Sequence, residues 1–320
     1  MSVSAPGLIE WQVFPGRIGR ATISNYNLPP FPSLPVFALL AGASMWGIVW
    51  YPYRLLAQAG VGGELSSLIT YGIASAAGLA LFPRAPREWC AQPGLFAAMG
   101  LAAGVSNVSY ILGVLEGNIM RVVLLFYLAP LWTIPLAHWL LGEKLAARGY
   151  GVMAVALMGA AVMLWRPELG APWPASKADW LGVAAGMFFA LCNVLVRKAE
   201  GASAAAKSQA IWLGVTLVAL PLALGFAPAE GWGKAPQQWP LLAGIGFSLV
   251  GMSLALQYGL SRLPATRAVV ILLFELVVAA AAAWLFAGEV AGARDWIGGA
   301  LIVLASLLSG FMGADAKEKM

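Results

Sequence analysis

Ten apolar stretches of about 20 residues each decide what this chain can fold into, because that is the length a helix needs to cross the hydrocarbon core of a bilayer. They lie at about 34–57, 64–82, 94–115, 119–141, 147–165, 179–198, 207–226, 239–261, 265–287 and 292–312. Short polar breaks separate them, such as Pro83-Arg84-Ala85-Pro86-Arg87-Glu88, Gly142-Glu143-Lys144 and Glu230-Gly231-Trp232-Gly233-Lys234. Backbone groups in lipid must be satisfied within the segment, so each continuous apolar run is expected to be helical. The runs do not alternate in polarity, which excludes a transmembrane β-barrel. Composition agrees: 61% of the residues are hydrophobic and 10% charged, against about 45–50% and 25% in soluble domains. A soluble enzyme, a nucleic-acid-binding domain and a disordered protein are excluded. The fold class expected is an all-α polytopic membrane protein.

The net charge of +5 is spread between the apolar segments and forms no basic patch. If the N-terminus is cytoplasmic, 13 of the 19 Lys and Arg residues fall inside and 6 outside. That bias favours both termini in the cytoplasm of a multi-pass inner-membrane protein. Trp165, Trp180, Trp239, Trp284 and Trp296 then sit near the outer ends of segments, as an interfacial belt. Residues 1–32, ending in Pro29, Pro30 and Pro32, are expected to form a largely disordered cytoplasmic arm, and 313–320 a short tail. Two cysteines and one histidine, His138, offer no metal-ligand spacing and no disulfide framework. No cofactor is expected, and no phosphate-binding Gly-x-x-x-x-Gly-Lys-Ser/Thr run is present, which argues against ATP-driven transport.

An internal repeat runs through the chain. Arg121 and Arg267 are 146 residues apart, and so are Gly113 and Gly259, and Gly142-Glu143 and Gly288-Glu289. The repeating unit holds five segments. An odd number places the second unit upside-down, so ten transmembrane helices are expected as two inverted five-helix repeats, 33–165 and 179–312, joined by an external linker at 166–178. Inverted repeats of this kind place a solute site at their interface, near the bilayer midplane.

Several motifs resemble those of the drug/metabolite transporter superfamily, of the ten-helix EamA-domain type. They are Met45-Trp46-Gly47 in the first segment and Asn107-Val108-Ser109-Tyr110 in the third. The fourth segment adds Phe126-Tyr127-Leu128-Ala129-Pro130-Leu131-Trp132 and ends in Gly142-Glu143. The second unit repeats the ending as Gly288-Glu289 but has Leu276 where Pro130 would recur, and Cys192-Asn193 in the sixth segment in place of a Trp-Gly pair. The Tyr-Leu-x-Pro run is also similar to that of bacterial amino-acid exporters of the YddG type. The resemblance implies a secondary transporter, in the exporting direction, for an amino acid or related compound. A multidrug or other solute carrier of the same fold is the alternative; a membrane-embedded enzyme or a channel fits less well.

Polar groups at membrane depth mark where a solute would bind. Glu275 lies about ten residues into the ninth segment, where an acidic residue costs roughly 2.5–3.5 kcal/mol on insertion scales. It is expected to bind a substrate amine or a coupling proton, or else to pair with a cation such as Arg121 or Arg54. Asn107 and Tyr110 share one face of the third segment, and Ser253 and Gln257 one face of the eighth. The 146-residue offset maps Asn107 onto Ser253. With Trp46, Tyr127, Trp132 and Asn193 they are the candidate substrate-binding set, against the alternative of plain interhelical hydrogen bonding. Arg121, Arg267, Glu143 and Glu289 are candidates for the gates or mouths of the pathway. No residue set suggests catalysis. The expected partners are a small-molecule solute, the lipid bilayer and protons, with no nucleic acid and a monomer favoured.

Overall fold

A computed structural model describes residues 34–116, 119–165, 174–287 and 292–311. The described residues are helical with connecting turns, and no strand occurs among them. The helices are α1 Leu34–Gln58, α2 Gly63–Leu81, α3 Pro93–Glu116, α4 Ile119–Phe126, α5 Ala129–Leu141, α6 Ala147–Leu164, α7 Lys177–Lys198, α8 Ala204–Phe226, the short α9 Ala229–Lys234, α10 Trp239–Leu260, α11 Ala265–Leu272, α12 Phe274–Ala287 and α13 Ala293–Phe311. Seven helical stretches among the described residues are long and apolar enough to cross a membrane: Leu34–Gln58, Gly63–Leu81, Pro93–Gly113, Lys177–Lys198, Ala204–Phe226, Ala229–Leu260 and Ala265–Phe286. The chain is thus an all-helical, multi-pass membrane protein. The arm, the tail and Glu289 lie outside the described residues.

The ends of these helices follow from local chemistry. Ser176 opens α7 with a capping box, its hydroxyl accepting from the Asp179 amide while the Asp179 carboxylate accepts from Ser176. Ser203 caps α8. Gly142 closes α5 in the left-handed region at φ 70°, its amide donating to the Ala137 and His138 carbonyls; a residue without a Cβ adopts that conformation without steric cost. The five tryptophans placed at segment ends, Trp165, Trp180, Trp239, Trp284 and Trp296, are all exposed.

Two segments expected as single helices, 119–141 and 265–287, are each broken in the middle. The first breaks at Tyr127–Leu128 and the second at Leu273. Pro130 explains the first. It has no amide hydrogen, so the Phe126 carbonyl loses its helical partner. Leu128 and Leu131 tighten into bonds to Leu125 and Leu128. The second break has neither proline nor glycine; Leu276 bonds back to Leu273 at 3.1 Å and starts a fresh helix. The breaks are 146 residues apart, the offset of the sequence repeat.

Helix packing is paired in a consistent way. α3 lies against α7 and α8, and α10 lies against α1 and α2. The broken α4–α5 rests on α7, and the broken α11–α12 on α1, while α2 packs on α8 and α6 on α13. Each contact therefore has a counterpart when the two halves of the chain are exchanged. Two close backbone approaches fall beside the breaks. A Cβ on Gly186 of α7 would lie 2.5 Å from the Phe126 carbonyl oxygen, and one on Gly47 of α1 would lie 2.7 Å from that of Glu275. Only glycine lets backbones meet so closely.

Several of the described connections gather at two ends of the bundle. At one end, Glu88 before α3 accepts from the Ser203 amide and hydroxyl before α8, and Glu143 after α5 meets the turn before α11. At the other end the turn at Gly60 touches Lys234 and Gly231. The helices α1, α2 and α3, joined by described turns at opposite ends, thus alternate in direction. The main core joins α1, α2, α3, α7, α8 and α10, with Leu39, Leu65, Met99, Trp212, Leu249 and Met252 among its fully buried side chains. A second cluster joins α6 and α13 to α11 and α12 through Met153, Val270, Leu276 and Ile302.

Candidate functional site

The two helix breaks face each other across a narrow cleft, with room in this conformation for about one water molecule. Its wall is formed by Phe126, Tyr127, Ala129 and Pro130 from the first break, Val269, Leu272, Leu273 and Glu275 from the second, and Phe189 from α7. An interrupted helix in hydrocarbon leaves amide and carbonyl groups without partners at several kcal/mol each, so a break is tolerated where it is buried in protein or lines a cavity. Both breaks here meet that condition.

Glu275 is the single formally charged residue among those lining the cleft. It stands in the first turn of α12, where the helix dipole favours a negative side chain. The Tyr127 hydroxyl donates to its Oε1 at 2.8 Å. This bond joins the two breaks directly. Aromatic rings form the rest of the polar–apolar boundary. Phe126 stands at the centre of three ring contacts, edge-on to Tyr127 at 5.2 Å and to Tyr110 at 5.4 Å, and tilted to Phe189 at 5.3 Å.

The structure brings Tyr127 and Glu275 together at the cleft and Tyr110 one ring behind it. Other members of the expected set lie elsewhere. Ser253 is buried and accepts a hydrogen bond from the Trp212 indole at 2.9 Å. The Gln257 backbone carbonyl accepts from the Ser261 hydroxyl, and its side-chain Oε1 is buried without a partner, as are Asn107 Oδ1 and Asn193 Nδ2. Trp46 packs against the main core beside Gly47, and Trp132 is 36% exposed on α5. None of these six lines the cleft. A spacing argument places a residue on a helix face but does not say which neighbouring helix that face meets. Phe126 and Phe189 were not singled out from the sequence; two aromatics within apolar runs carry no signal that separates wall from core.

Two of the charged candidates, Glu143 and Arg267, lie at one end of the bundle. The Glu143 carboxylate accepts from Arg197 Nε at 3.2 Å and from the Ala265 amide at 2.9 Å, at the start of α11. Arg197 also donates to the Ser261 carbonyl at 2.6 Å and to Glu200 at 2.7 Å. Lys207, fully buried, donates to the Ser261 hydroxyl at 2.6 Å. Ends of α5, α7, α8 and α10 are thereby tied to the start of the second broken helix. Arg267 sits partly buried in the first turn of that helix. Arg121 lies in α4, with its side chain outside the described residues, and His138 is exposed. Among the described residues no cluster of three or more His, Cys, Asp or Glu could hold a metal ion.

Known proteins are similar at the level of family and fold. Residues 176–311 match the EamA-like transporter family. A protein of Archaeoglobus fulgidus described as an uncharacterized transporter is 25% identical over 205 residues, covering 63% of this chain and 70% of its own. A solved crystal structure of another protein shares the fold with a TM-score of 0.67 at 16% identity, over 87% of this chain and 98% of its own. The family match falls in the second half of the chain, whereas Trp46-Gly47, the Tyr127–Pro130 run and Gly142-Glu143 lie in the first; together they support the resemblance to EamA-type transporters of the drug/metabolite transporter superfamily.

Proposed function

We propose that the chain is a secondary transporter that exports a small organic metabolite, an amino acid or related compound, by alternating access between two inverted five-helix units. The units are residues 33–165 and 179–312, with both termini in the cytoplasm of an inner-membrane protein. The observation that carries this reading is the pair of helix breaks, at Tyr127–Leu128 and Leu273, which line one cleft from opposite halves of the chain. Discontinuous helices at a repeat interface are how carriers place a polar site at mid-membrane. The exchange pattern of helix contacts supports the same reading, because rocking needs two bodies that share one interface. The network around Glu143 and Arg197 would close the cytoplasmic end. Glu275 would bind solute or proton, with Tyr127 bonded to it and Tyr110 nearby as the other titratable groups. Purified protein in liposomes, screened with radiolabelled amino acids, amines, nucleosides and cationic drugs, tests the mechanism. A carrier gives saturable uptake that unlabelled solute on the far side accelerates. Linear flux without that acceleration marks a channel, and solute turned into product marks an enzyme.

A further inference from the structure

Taking the cleft as the solute site, as above, we infer that its solute is an organic amine, bearing a protonated ammonium and no carboxylate beside it. Three observations converge on this class. Glu275 is the lone formal charge among the described residues lining the cleft, and it is negative. Phe126, Tyr127 and Phe189 line the same cleft with aromatic rings, Phe126 in contact with the other two at 5.2 and 5.3 Å. A carboxylate beside aromatic faces is a site for an organic cation, since ring quadrupoles attract the positive charge.

The cleft also holds little that would take a second, anionic group. Its described wall contains no Lys, Arg or His. The N-termini of the two half-helices, which elsewhere serve anions, each have a donor removed or turned back onto the chain. At α5, Pro130 has no amide hydrogen and the Leu131 amide donates to Leu128. At α12, the Leu276 amide donates to Leu273, and the first turn already carries Glu275. The carboxylate of an amino acid would therefore meet a like charge with no cationic side chain in the described wall to offset it. Removing that carboxylate, as in the amine of the same side chain, removes the conflict while keeping the ammonium and the apolar body. The Tyr127 hydroxyl occupies Oε1 alone, and a carboxylate accepts at both oxygens, so an ammonium can join Glu275 with this bond kept.

Matched pairs test this directly: phenethylamine with phenylalanine, tyramine with tyrosine, and isoamylamine with leucine. Counterflow in liposomes and thermal shift of the purified full chain are measured for both members of each pair. Half-saturation for the amine is expected at least tenfold below that of its amino acid. Glu275→Gln should remove most of the amine's advantage, and Phe189→Leu, on a separate helix, should weaken the amine while leaving the melting temperature of the unliganded protein near wild type. Amino acids bound as well as their amines would overturn the inference and leave the carrier reading standing. An amine affinity unchanged in both variants would also overturn it. Absence of counterflow for every compound, in the pairs and in the wider panel, would overturn both.

Discussion

The Tyr127 hydroxyl donates to the Glu275 carboxylate across 2.8 Å, and in doing so ties the end of one interrupted helix to the beginning of another. The two residues are 148 positions apart and come from different halves of the chain. A bond in that place strengthens one relative position of the two halves and must be remade when they move.

Replacing Glu275 by Gln keeps the size and the acceptor of the side chain and removes its charge. Folding and membrane insertion should be retained. Transport should fall by tenfold or more and lose its pH dependence, a change of about 1.4 kcal/mol in the barrier. Initial rates from pH 5 to 9, in liposomes with matched protein amount and orientation, check this.

Tyr127→Phe removes the donor and leaves the ring. Hydrogen bonds to charged groups contribute roughly 1.5–3 kcal/mol net, and a partly exposed pair belongs at the lower end. The variant should bind solute with an altered half-saturation while folding normally. Combined with Glu275→Gln, the two changes should be clearly less than additive, because both act on one bond, which Tyr127→Phe removes and Glu275→Gln strips of its charge. Full additivity in a double-mutant cycle would separate the two residues functionally.

The close helix crossings make a stability prediction with its own control. Gly186→Val and Gly47→Val push side chains into the Phe126 and Glu275 backbones, and overpacking of this kind costs about 1–3 kcal/mol or more. Gly244→Ala on α10, where no atom lies within 4 Å of the added Cβ, should be neutral or gain up to about 1 kcal/mol in helix propensity. Apparent melting temperatures in detergent should fall for the first two and stay level or rise for the third.

Glu143→Gln weakens the attachment of Arg197 and of the Ala265 amide at one end of the bundle. In a chain with Cys90 and Cys192 replaced, a cysteine at Leu263 in the adjoining turn should become more reactive toward an impermeant thiol reagent. The increase should appear from the cytoplasmic face alone. Equal reactivity with and without the substitution would remove Glu143 from the gate.

The helices were legible in the sequence because lipid imposes a length and a polarity on every span; the expected 34–57 and the observed Leu34–Gln58 differ by one residue. The helix breaks were not. Pro130 was visible as a missing donor, but proline within a membrane helix more often bends it than divides it, and the 270–276 stretch holds no breaker at all. The repeat could have pointed to the second break, since Tyr127 maps onto Leu273. Glu275 was legible as a costly group at depth, and Tyr127 as a polar aromatic. Their contact depends on how the two broken helices face each other, which local periodicity does not encode. Ser253 and Gln257 share a helix face as expected, and that face meets α8 and the turn at Ser261 instead of the cleft. The Arg197–Glu143 pair, 54 residues apart, was equally hidden.

The central claim is that the cleft between the two breaks opens alternately to either side of the membrane. A single cysteine at Ala129, a small buried residue of the cleft wall, tests it most directly in oriented vesicles lacking Cys90 and Cys192. The account predicts labelling by an impermeant thiol reagent from the inside and, separately, from the outside, with the transported solute slowing both reactions. Labelling from one side alone, or from neither, with no protection by solute, would contradict it.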